Sequence, residues 1–174
     1  MKLLPLLLSF AFVGNALTAT PQTPGEIEAR IHKEGGRAVI KDLEANESAF
    51  EEILSHIDSG DGAWLKVALL LKPFSDAGTA EGLDYAVARA LPNAPVRVLS
   101  LIGHGFDLDY VCTSPFNEPE PGVAESYERK TLGALASVRE PHLKVLAAEC
   151  AKRVKLPSPG PNYSLKRTAA DGLR

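Results

Sequence analysis

His104, Asp107 and Asp109 are the residues of this chain best spaced to do chemistry together, crowded into one short stretch around Gly103 and Gly105. An imidazole beside two carboxylates in a glycine-containing turn can hold a divalent cation or act as a general base. The competing expectation is a solvated turn in which an Asp caps a short helix from Phe106, and the residue types favour that one. His32, His56 and His142 lie on separate segments with no HExxH or His-x-His spacing, so no metal centre is expected. A second group lies in residues 113–122, a stretch with three prolines and two glutamates. Phe116, Glu118 and Glu120 are its binding candidates, because loops on a rigid scaffold commonly carry recognition residues. Glu125 and Glu128, beside Tyr127, extend this acidic cluster. Carboxylate pairs cleave glycosides only when held across a cleft, and a Pro-rich loop is expected to leave them solvated.

Other patterns are weaker. The run GDGAW from Gly60 lacks the repeated ligands of a calcium loop, and Asp61 reads as a helix N-cap. Ser100 and Ser114 have no G-x-S-x-G elbow around them. The run SDAGTAEG from Ser75 can rest an anion on free N–H groups, but an interhelical turn capped by Asp76 or Thr79 is the expectation. No catalytic residue and no cofactor is assigned.

Several elements must position these residues. Cys112 and Cys150 are the two cysteines, expected to pair as a disulfide that pins the last helix onto the middle of the domain. That expectation follows from the first residues. Lys2 precedes an apolar run over residues 3–13, followed by small and polar residues, the layout of a secretory signal peptide. The chain thus reads as a signal at 1–19, cleaved after Ala16 or Ala19, a leader at 20–25, an all-α domain at 26–155 and a disordered basic tail at 156–174. No membrane span is expected after the signal is removed, because the apolar run is shorter than the roughly 20 residues a crossing helix needs.

Apolar periodicity argues for about seven to nine short helices in one domain. A first helix carries Ile27 and Ile31 and is ended or kinked by Gly35 and Gly36. Ser48 and Glu51 have capping-box spacing ahead of Phe50, Ile53, Leu54 and Ile57. The segment from Trp64 to Leu71 is apolar nearly all round, which marks the central helix, with Trp64 in the core. Further helices are expected from Thr79 to Leu91, from Pro95 through Ile102, over one or two turns up to Cys112, and in two final segments ending with Val138 and Val154. A faint repeat pairs AWLKVALLL from Ala63 with APVRVLSLI from Ala94, each followed by a Leu-Asp-Tyr triplet. Stacked HEAT-like hairpins have periods near that offset or somewhat longer.

Charge is unevenly spread. Residues 20–151 hold 12 Lys and Arg against 21 Asp and Glu, a net of −9, while residues 152–174 hold 6 against 1, a net of +5. An acidic body cannot neutralise a phosphate backbone, so nucleic acid is not an expected partner. The ending, PNYSLKRTAADGLR, has no apolar stripe to bury. Residues 161–174 resemble the ends of hypothetical proteins encoded by bacterial integron gene cassettes. That resemblance implies a mobile bacterial gene and a periplasmic or secreted product, and it covers only those residues. Function then reads as an exported helical module that binds another protein, inhibitor- or immunity-like. The alternatives are a metal-dependent or acid/base hydrolase centred on His104, and a structural envelope protein.

Overall fold

A computed structural model describes residues 22–155. The expected signal at 1–19 and the expected tail at 156–174 lie outside the described residues. Within them the chain forms nine α-helices and one 3-10 turn around a single core, and the only β pairing is an isolated bridge between Ile102 and Phe106. The all-α domain expected from periodicity is what forms.

Helix α1 (Pro24–Glu34) starts earlier than the leader boundary suggests, because Thr23 and Glu26 make a reciprocal capping box ahead of Pro24 in the first turn. The Thr23 N–H donates to Glu26 Oε2 at 2.7 Å and the Glu26 N–H donates to Thr23 Oγ1 at 3.3 Å. Gly35, at φ 86°, turns the chain directly into α2 (Gly36–Glu44). Gly36 also lets the Phe74 ring lie against the backbone, where a Cβ would fall 2.1 Å from the ring edge.

The expected capping box at Ser48 does not start α3 (Glu47–Asp58). Asn46 does, accepting from the Ala49 N–H at 3.3 Å, and the Ser48 hydroxyl donates to the same Asn46 oxygen. Asn46 wins because its backbone is still non-helical, whereas Ser48 already lies inside the first turn.

Asp61 caps α4 (Gly62–Leu71), accepting from the Ala63 and Trp64 N–H groups. Its Trp64, Leu65, Val67, Ala68 and Leu71 are buried and it touches α1, α2, α3, α5 and α6, the central position its composition implies. On its first turn the Trp64 ring stacks flat on His56 of α3, with centroids 4.7 Å apart. Pro73 does not stop the helix outright, because it fits the 3-10 turn Lys72–Phe74 that continues from it.

Asp76, not Thr79, caps α5 (Ala77–Ala90). Thr79 is buried in the first turn and donates to Glu44 Oε1 at 2.7 Å, tying α5 to the end of α2. Helix α6 (Pro95–Leu99) is shorter than expected, because Gly103 at φ 83° turns the chain and its N–H donates to the Phe106 carbonyl. The 31-residue offset therefore pairs the ten-residue α4 with a five-residue helix, so the resemblance between the two segments does not extend to helix length. After the one-turn α7 (Leu108–Val111) and the 113–122 loop, α8 (Val123–Ala136) and α9 (Lys144–Val154) pack on each other. Val138 lies beyond the end of α8 yet is buried, as the stripe demanded.

Cys112 and Cys150 form a disulfide, both fully buried. It joins the end of α7 to the inward face of α9, as expected. Arg153 of α9 adds a second tie to α7, its Nε 2.8 Å from Asp109 Oδ1. No helix among the described residues is long and apolar enough to cross a membrane.

Candidate functional site

The 113–122 loop forms one wall of a cleft of about 600 Å³. The opposite wall is the end of α5 with the turn after it, and the floor is the first half of α8. Phe116 projects from the loop and meets the Tyr127 ring edge-on, with centroids 5.5 Å apart and planes at 87°, a favourable aromatic geometry. Tyr127 is anchored in turn: its hydroxyl donates to the Ala88 carbonyl at 2.8 Å, and burial pushes its phenol well above the usual range. Val123, at the start of α8, lines the same cleft and is 40% exposed, so apolar surface is open to solvent at the mouth.

Two cations complete the cleft. Arg89 reaches it from α5, with its Nε held 2.7 Å from Asp58 Oδ2, and Lys130 reaches it from α8. Burial raises the Asp58 carboxyl from its ordinary value, outweighing the opposing pull of Arg89. Among the described residues no carboxylate lines the cleft, although residues 20–151 are acidic overall. The cleft is open and lined by apolar and polar groups in nearly equal share, which suits a surface contact better than an enclosed small-molecule site.

The loop itself carries strain. Glu118 has φ 48° and is the one non-glycine residue at positive φ among the described residues. For a residue with a Cβ that costs roughly 1–2 kcal/mol. Such outliers persist only where the surroundings impose them, and they cluster at binding loops. Gly122, at φ 87°, relieves the same demand where the loop enters α8.

Of the six candidate residues, then, Phe116 lines the cleft. Glu118 and Glu120 are exposed on the same loop and do not line it. His104, Asp107 and Asp109 lie elsewhere. His104 is exposed in the turn between the bridged residues Ile102 and Phe106. Asp107 caps α7 by accepting from the Asp109 N–H at 2.8 Å, the bland alternative weighed for it, and Asp109 pairs with Arg153. Among the described residues no three His, Cys, Asp or Glu side chains are grouped to hold a metal ion.

A different charged pair sits near this turn. Lys72 Nζ lies 2.5 Å from Asp84 Oδ1, donates to the Ala80 carbonyl at 2.8 Å and stands 5.3 Å from the centre of the Phe106 ring. Asp84 belongs to the first Leu-Asp-Tyr triplet and Asp109 to the second, so each triplet supplies the acid of an ion pair. Asp84 is buried, and that burial raises its carboxyl above the ordinary value despite Lys72. The pair ties the end of α4 to α5 under the 102–106 turn.

Sequence reasoning missed Arg89, Lys130 and Val123 as cleft residues. They come from segments far apart in the chain and converge where the Tyr127 hydroxyl of α8 bonds the Ala88 carbonyl near the end of α5. Tyr127 itself carried a signal, a Tyr on an apolar stripe that needs a partner for its hydroxyl. Compared with models of protein families, with curated proteins and with solved structures, the chain has no match.

Proposed function

We propose that this chain is an exported protein-binding module, inhibitor- or immunity-like, acting in the periplasm or outside the cell and contacting its partner through the 113–122 loop and the cleft behind it. One observation carries the reading. The loop presents Phe116 and the adjoining Val123 at the mouth of a cleft while its backbone is held at a strained Glu118. Strain of that kind is retained where a surface must keep one shape.

Other features agree with it. The charge, apolar and small-residue order of residues 1–19 is that of an export signal, and a buried disulfide belongs to oxidising compartments. The acidic body disfavours nucleic acid. The reading is tested by placing a photoreactive residue at Val123 in the full chain and irradiating it in periplasmic extract of its bacterial host. A specific crosslinked protein is expected. Recovery of none under several conditions overturns the proposal.

A further inference from the structure

Cations in an acidic domain are informative when they converge. Residues 20–151 carry 21 Asp and Glu against 12 Lys and Arg, yet the charged residues lining the cleft are Arg89 and Lys130. The Nε of Arg89 is committed to Asp58, which fixes the plane of the guanidinium and leaves its other nitrogens without a hydrogen bond among the described residues. Lys130 is exposed and has no ion-pair partner among them. The Phe116 and Tyr127 rings and the exposed Val123 line the same cleft.

We infer that this cleft receives a short acidic segment of the partner protein, with one apolar side chain seated among Phe116, Tyr127 and Val123 and flanking carboxylates meeting Lys130 and Arg89. The inference rests on the binding-module reading and adds the chemistry of what is bound. Charge complementarity carries it. The planar guanidinium suits a carboxylate, the ammonium supplies a point charge, and the rings accept an aliphatic or aromatic anchor. The chain's own ending is an ill-matched occupant, because residues 152–174 carry a net of +5.

The test uses the full mature chain and two capped hexapeptides, DELFDE and its basic counterpart KKLFKK, followed by amide chemical shifts. DELFDE is expected to shift amides of the 113–122 loop and the first turns of α8, and KKLFKK is not. Lys130→Glu should weaken DELFDE about tenfold, the scale of reversing one exposed charge contact, with the fold intact because Lys130 is exposed. Val123→Asp should weaken it as well, through the anchor rather than the cation. Equal binding of both peptides, shifts located elsewhere, no shift at millimolar peptide, or indifference to Lys130→Glu overturns the inference. If the Val123 crosslinker captures a specific partner while the peptides fail, the acidic-segment assignment falls and the binding-module reading stands. If the crosslinker captures none, the reading falls first.

Discussion

Removing the Cys112–Cys150 bond should cost this domain a large part of its thermal stability and loosen one end of it before the rest. The bridge closes a sequence separation of 38 residues. In the chain-entropy account, such a closure removes about 13 cal/mol/K from the unfolded ensemble, or about 4 kcal/mol at 25 °C. For a domain of this length the unfolding entropy at the midpoint is about 280 cal/mol/K, so Tm should fall by about 14 °C. Both cysteines are fully buried, so reductant must be added to unfolded chain that then refolds with free thiols. Comparing that reduced protein with a Cys112→Ala/Cys150→Ala variant separates the cross-link from packing, because only the variant also loses the two sulfur atoms. Circular dichroism melts give the two shifts, with the variant a few degrees lower. Hydrogen exchange should show α9 opening first. The ties that hold it after reduction include its packing on α8 and the half-buried Arg153–Asp109 pair, and a single ion pair still open to solvent adds little. Melting of the reduced protein within about 3 °C of the oxidised form would refute the entropic argument. Two titratable thiols in denatured, unreduced protein would refute the bridge itself.

The buried Asp84 sets the sign of a pH effect: its carboxyl is raised by burial, so the folded state holds its proton more readily than the unfolded one, and this contribution is complete below the ordinary carboxylate value of 3.8 and withdrawn as pH rises through the raised folded value. The stability advantage of wild type over Asp84→Asn, read from urea midpoints, should therefore shrink as pH climbs from 4 toward neutrality, and an advantage that grows instead would mean that Lys72 outweighs burial. Tyr127→Phe should cost only about 1 kcal/mol in denaturant unfolding, because the Ala88 carbonyl it leaves also accepts from the Leu91 N–H. His104→Ala should leave unfolding stability within about 0.5 kcal/mol and metal content by elemental analysis unchanged, since His104 is exposed and stands outside any ligand group among the described residues; loss of stoichiometric metal would revive the hydrolase alternative.

Legibility followed the range of the interactions. Helix α4 was readable because Asp61 and an all-round apolar composition act within a few residues, and the α9 stripe was readable because Leu143, Ala147, Cys150 and Val154 repeat at helical spacing. Boundaries failed where two local chemistries compete over one turn. Asn46 displaced Ser48 as a cap, Asp76 was the one of the two expected caps that starts α5, and α6 ended before its apolar run was exhausted. The cleft was half readable for a different reason. Phe116 stood out because composition marks a Pro-rich loop, whereas Arg89 and Lys130 look on paper like any solvated helix cations. Only the tertiary fold, with the Tyr127 hydroxyl of α8 on the Ala88 carbonyl of α5, brings them to one opening. For His104, Asp107 and Asp109, nearness in sequence allowed both a shared ligand and a helix cap, and the structure shows Asp107 capping a one-turn helix and Asp109 paired with Arg153. Spacing within a turn reports helix chemistry first, and recognition sites in a helical bundle are assembled from residues that spacing cannot connect.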